Sequence, residues 1–201
     1  MVLGHIVAAL GRPLVGLVFR PSVKGREHIP AGGCIVSANH LSGLDSWALM
    51  YVFRGRAIRN MGKNDLFRRP VLSLLLRSLG VFPARDEGAL EGGVSRAAEL
   101  AGLGETVAIF PEGARRRGVT RRPRRGAART ALLAGVPLVP VAIGGTDGWR
   151  NQARWQIAVG APVQLDDLSA DDLEAASGEA TSRLWDAITT LENELEGIGA
   201  R

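Results

Sequence analysis

Four short, almost wholly apolar runs, separated by stretches of helix length, constrain the fold of this chain more than any other feature. They are Cys34–Ala38, residues 106–110, residues 138–143 and Gln156–Val159. Runs of that length, rich in Val and Ile and bounded by turn residues such as Ala31-Gly32-Gly33, read as buried strands. The intervening sequence reads as helices: residues 45–53, 71–79 opened by Pro70 and stopped by Gly80, 89–101, and 126–134. A last amphipathic helix is expected over 179–196, with Leu184, Trp185, Ile188, Leu191 and Leu195 on one stripe. Minor extended pieces are expected at 23–25, 57–60 and 81–83. Strands alternating with helices predict an α/β sandwich whose central sheet is mainly parallel and flanked by helices. At 201 residues, with neither repeat nor linker, the chain suits one domain.

The first twenty residues contain no acid and place Leu3, Ile6, Val7, Leu10, Leu14, Leu17 and Val18 at helical spacing, interrupted by Arg12-Pro13. The segment falls short of the roughly 20 uninterrupted apolar residues of a bilayer span. It also lacks the basic start of a signal peptide. Two readings stay open: a helix packed on the core, or a short amphipathic helix (residues 1–22) lying in a membrane interface ahead of a domain over 23–201.

Cys34 is the only cysteine, which excludes a disulfide framework and a thiolate cluster and suits a reducing compartment. With three histidines and none near His40, no metal site is expected. The net charge of +5 is unevenly spread: eight arginines and no acid lie between Arg115 and Arg129, whereas residues 166–196 are acidic. A nucleic acid, an anionic membrane and a phosphorylated ligand all answer to such a cluster. No aromatic residue interleaves the arginines, so the stacking platform for nucleic acid is missing and no nucleic-acid partner is expected.

Chemistry concentrates in two runs. Asn39-His40-Leu41-Ser42-Gly43-Leu44-Asp45 follows the first buried strand, and Phe110-Pro111-Glu112-Gly113 ends the second. On a continuous helix, residues five apart point about 140° from each other. His40 and Asp45 therefore meet only if the chain turns between them, as a strand, a loop with Gly43 and a helix start allow. An Asp bonded to one imidazole nitrogen sets the tautomer and leaves the other free to accept a proton from an alcohol. The rival use, Ser42 or Ser46 as a nucleophile with His40 as base, lacks a Gly-x-Ser-x-Gly elbow around either serine.

With these runs in order, the chain resembles the glycerolipid acyltransferase family, whose members include 1-acylglycerol-3-phosphate acyltransferases. The resemblance spans roughly residues 23–159 and four blocks: 39–45 with its His-x4-Asp spacing, 82–86, 110–115 and 136–141. It implies a glycerol-3-phosphate acyltransferase-like sandwich. His40 is then the base that activates the acceptor hydroxyl, and Asp45 orients it. Attack falls directly on the thioester of acyl-CoA or an acylated carrier protein, the co-substrate, with no other cofactor and no acyl-enzyme. The oxyanion is expected to be met by backbone N–H groups near the start of the block-one helix.

The resemblance assigns acceptor binding to Asn39, Ser42, Arg85, Phe110, Pro111, Glu112, Gly113 and Arg115. Gly113 lets the backbone approach closely, Arg115 offers a planar fork to phosphate, and Glu112 holds that arginine or a glycerol hydroxyl. Block four, with Pro137 and Pro140, shapes a strand beside the acyl pocket. Three departures stand out: Ala114 replaces a Thr or Ser, Arg116 replaces a Ser, and Arg85 precedes Asp86 rather than following it. The implied partners are a lysophospholipid acceptor, an acyl-CoA or carrier-protein donor and an anionic membrane surface. The implied location is the cytoplasmic face of the cell membrane, peripheral or monotopic. Other lysophospholipid or glycolipid acceptors, a binding protein without turnover and a basic nucleic-acid-associated domain are the alternatives.

Overall fold

The apolar run Cys34–Ala38 becomes the middle strand, β2, of a seven-stranded sheet, and all five of its residues are buried. The structure is a computed structural model that describes residues 2–53, 55–84, 89–116, 122–148, 154–169 and 172–199. Around β2 the chain runs α1 (Val2–Phe19), β1 (Ser22–Lys24), α2 (Asp45–Val52), β3 (Ile58–Lys63), α3 (Pro70–Ser78) and β4 (Val81–Ala84). It continues through α4 (Ala89–Gly102), β5 (Thr106–Ala108), α5 (Gly126–Ala134), β6 (Leu138–Gly144), β7 (Gln156–Val159) and α6 (Leu173–Gly199).

The sheet order is β1-β7-β6-β2-β5-β3-β4. Every neighbouring pair is parallel except β6 and β7, so the expected mainly parallel sheet forms with β7 and β1 reversed at one edge. Successive side chains of a strand face opposite ways. Cys34, Val36 and Ala38 accordingly pack with Val15 of α1 and with Ala48, Leu49 and Val52 of α2. Ile35 faces the other layer, where Ala97 and Leu100 of α4, Ala127 and Ala131 of α5, and Leu184 and Ile188 of α6 enclose it. Burying a Leu or Ile side chain contributes about 1.5–3 kcal/mol, so α6 is bound chiefly through Leu184 and Ile188. Cys34 is fully buried, and desolvation pushes its thiol up, which fits an inert packing residue.

Four departures from expectation have a local cause. Helix α1 is continuous through Pro13. Pro13 and Ala9, whose carbonyl loses its N–H partner, are both exposed, so the break in the hydrogen-bond ladder falls on the solvent side of the helix. Strand β5 stops at Ala108 rather than 110 because the Ser37 hydroxyl takes the Ile109 carbonyl at 2.9 Å and the chain turns away. Strand β3 extends to Lys63 because its second half pairs with β4. Helix α6 begins at Leu173 rather than 179, where Asp172 caps it by accepting the Ala175 N–H at 2.9 Å.

Helix α1 satisfies the first of its two readings and leaves the second open. Its Gly11 and Gly16 lie against Trp47 and Tyr51 of α2, close enough that a Cβ at Gly11 would come within 2.5 Å of the Trp47 ring. Its other face leaves Ile6, Leu10, Leu14, Leu17 and Val18 exposed, and the adjacent α3 exposes Val71, Leu74 and Leu75. Among the described residues no helix is long and apolar enough to cross a membrane.

Candidate active site

Strands β5, β2 and β6 are parallel neighbours, so the loops after them leave the sheet at one edge. The carboxyl ends of strands are where open α/β sheets place their ligand sites. Here they deliver the 110–116 loop, the 39–45 loop and Thr146 to one place, although these segments lie far apart in sequence.

The turn between His40 and Asp45 is built around the Asp45 carboxylate. Its Oδ2 accepts the Leu41 and Ser42 N–H groups at 2.8 and 2.9 Å and faces His40 Nδ1 at 2.7 Å. Its Oδ1 accepts the Thr146 hydroxyl at 2.5 Å. Asp45 and Thr146 are both fully buried. Asp45 is also the first residue of α2, where the helix dipole favours a carboxylate. An ionised carboxylate only accepts, so Nδ1 carries the imidazole proton and Nε2 keeps its lone pair. The His40 side chain is 19% exposed, which leaves the ring reachable while its partner is sealed. The Phe110 ring stacks on the imidazole, with centroids 4.1 Å apart and planes 19° apart.

The 110–116 loop is sewn to His40 on both sides. Glu112 Oε1 accepts the His40 N–H at 3.1 Å, and the Arg116 N–H donates to the His40 carbonyl at 2.7 Å. Glu112 is 1% exposed, and both its oxygens lie 2.8 Å from Arg116 Nε. The expected Glu112–Arg115 pair is therefore corrected: four residues on, Arg116 folds back over the carboxylate, while Arg115 stays exposed without an ion pair among the described residues. The Arg115 guanidinium instead packs over Gly43, where a Cβ would come within 3.3 Å of Nη2. Gly113 has φ 68°, a left-handed turn, and Arg124 lies directly over it.

The structure thus brings together His40, Asp45, Ser42, Phe110, Pro111, Glu112, Gly113 and Arg115. Two assignments change. Asn39 is buried, and its carboxamide pairs with the Ile143 peptide at both ends, donating to the carbonyl at 2.8 Å and accepting the N–H at 2.7 Å. It pins the loop to β6 and is not placed to contact a ligand. Ser42 Oγ accepts the Leu44 N–H at 3.0 Å and shapes the turn. The N–H groups of Leu41, Ser42 and Leu44 are consequently consumed, and Gly43 is left with an N–H that has no acceptor among the described residues. Arg85, Arg117 and Arg121 lie outside the described residues.

Sequence reasoning missed Thr146 and the ion pair between Arg116 and Glu192. For Thr146 the available signal was Gly144-Gly145 directly after a buried strand. Gly145 has φ 81°, and a Cβ there would lie 2.6 Å from the Arg154 carbonyl oxygen, so the turn that aims Thr146 admits only glycine comfortably.

The acyltransferase family model matches residues 20–144. A chloroplastic 1-acyl-sn-glycerol-3-phosphate acyltransferase, BAT2, from Brassica napus is 30% identical over 148 residues, covering 71% of this chain and 42% of that protein. A 1-acyl-sn-glycerol-3-phosphate acyltransferase from Borreliella burgdorferi is 28% identical over 131 residues, covering 63% and 52%. The chain thus spans about half the length of these two curated relatives. The crystal structure of the 1-acyl-sn-glycerophosphate acyltransferase PlsC from Thermotoga maritima superposes with a TM-score of 0.70 at 24% identity, over 98% of this chain and 80% of that one, and shows the shared fold. The matched segment contains β2, β5 and β6 together with both sewn loops, and on that match this chain belongs to the acyltransferase family.

Proposed function

We infer that this chain moves a fatty acyl group from an acyl thioester to the free hydroxyl of a 1-acylglycerol 3-phosphate, giving phosphatidic acid. The observation that carries the reading is the His40–Asp45 pair at 2.7 Å, with the His40 side chain 19% exposed, Asp45 sealed beneath it, and Arg115 beside it without an ion pair among the described residues. His40 Nε2 takes the hydroxyl proton as the oxygen attacks the thioester carbonyl. The imidazolium that forms is stabilised by Asp45, and the tetrahedral oxyanion finds the Gly43 N–H. Collapse breaks the C–S bond, and the leaving thiolate takes the proton back from His40. Arg115, charged and exposed beside Gly43, receives the acceptor phosphate.

A reaction on a lipid needs the site near a membrane. The exposed apolar faces of α1 and α3, with exposed Arg68, Arg69 and Arg77 on and beside α3, suit a peripheral or monotopic contact with one anionic leaflet on the cytoplasmic side. Acyl-CoA and acylated carrier protein are both donors of the right chemistry, and the two homologous enzymes are named for the 1-acylglycerol 3-phosphate acceptor.

The test supplies lysophosphatidic acid with acyl-CoA in one arm and acylated carrier protein in the other. Phosphatidic acid in either arm is the expected result. No product in either arm, or product only in a third arm that offers a monoacylglycerol in place of lysophosphatidic acid, would overturn the reading.

A further inference from the structure

Arg116 carries more charge-assisted contacts than the acceptor chemistry asks of it. Nε serves both oxygens of Glu112 at 2.8 Å, Nη1 and Nη2 fork onto Glu192 of α6 at 2.6 and 3.1 Å, and the guanidinium carbon sits 5.5 Å from the centre of the Trp185 ring. The Arg116 and Glu192 side chains are 17% and 18% exposed, and that of Glu112 is fully sealed. Desolvation alone would lower the Arg116 pKa, but the bonds to Glu192 and Glu112 outweigh it and raise it, so the charge is permanent.

The Glu112 side chain is sealed from solvent, and Arg116 is the counter-ion that faces it. The same carboxylate holds the His40 N–H, while the Arg116 N–H holds the His40 carbonyl. Both peptide groups of the proposed base therefore end on one arginine and its partner. The far side of that arginine is anchored 76 residues later, on α6. Two carboxylates already surround Arg116, so an acceptor phosphate meets less competition at Arg115.

We propose that Arg116 is a positioning residue for acyl transfer: by bridging Glu112 and Glu192 it holds the His40 main chain in place and makes helix α6 part of the site. The proposal rests on the reading of His40 as the base. A displaced base loses turnover, because misplacement of a reacting group by about 1 Å costs on the order of a hundredfold in rate.

Arg116→Ala, Arg116→Lys and Glu192→Gln are compared with the parent chain in a transfer assay titrated with lysophosphatidic acid, alongside thermal unfolding. Arg116→Ala is expected to lose at least about tenfold in kcat with the acceptor KM within about threefold of the parent. Arg116→Lys recovers part of the loss, since one ammonium still reaches Glu112. Glu192→Gln loses less than Arg116→Ala and unfolds near the parent temperature, which keeps the test open if Arg116→Ala fails to fold. An active parent with unchanged kcat in Glu192→Gln and Arg116→Lys, or a loss in Arg116→Ala confined to KM, overturns the proposal alone. A parent without turnover overturns the acyl-transfer reading and this proposal with it.

Discussion

Thr146 gives its hydroxyl proton to the one oxygen of Asp45 that His40 does not use, at 2.5 Å. The threonine and the aspartate are 101 residues apart, and both are fully buried. Thr146→Val keeps the shape and removes the donor, leaving Asp45 Oδ1 unsatisfied in a dry site. A loss of about 1–3 kcal/mol in urea unfolding is expected, with a roughly tenfold fall in kcat as Asp45 loosens its hold on the imidazole. Thr146→Ser, which retains the hydroxyl, stays closer to the parent on both measures. Parent-like stability in Thr146→Val would show that the hydroxyl is not a buried partner of the carboxylate.

Arg115 sits over Gly43 without a carboxylate of its own among the described residues, whereas Arg116 has two. Arg115→Ala is expected to raise the KM for lysophosphatidic acid by about tenfold to a hundredfold, with kcat changed far less, because a phosphate is bound equally in ground and transition states. An acceptor lacking the phosphate should not register the substitution. If KM for lysophosphatidic acid stays at the parent value, Arg115 does not hold the phosphate.

Leu14 on α1 and Leu74 on α3 are 61% and 72% exposed, so replacing either with Glu removes no core contact. Each substitution should weaken sedimentation with phosphatidylglycerol vesicles by about tenfold or more, since it deletes apolar area and adds a charge that the leaflet repels. Thermal unfolding in the absence of lipid should be unchanged. Vesicle binding at the parent level in both variants would place the membrane contact elsewhere.

What the sequence made legible follows physical range. His40 and Asp45 were readable because five residues and one turn separate them, and β2 was readable because burial on both faces leaves a continuous apolar run. The sheet direction followed from helices interposed between strands. Of the two roles expected for Glu112, holding Arg115 or a glycerol hydroxyl, the first is not seen: Arg116 takes the carboxylate, a choice that depends on how the chain turns at Gly113 and that spacing alone does not express. Thr146 and Glu192 reach their partners only through the sheet order and the packing of α6: Gly144-Gly145 marks a tight turn before Thr146 without naming its partner, and no local pattern announces Glu192. Asn39 looked like a ligand-facing polar residue, yet its amide continues the sheet by pairing with Ile143. The early start of α6 was signalled by Asp172, a capping residue that the stripe of apolar positions outweighed.

The most direct measurement compares steady-state acyl transfer to lysophosphatidic acid by the parent chain and by His40→Ala at saturating donor. The Asp45 cage of Leu41, Ser42 and Thr146 donors remains in that variant, so it should stay folded by circular dichroism. A base removed from the reacting oxygen costs on the order of 10²–10⁴ in kcat, and a fall of that size is the expected result. A folded His40→Ala chain that acylates as fast as the parent would contradict the assignment of His40 as the base.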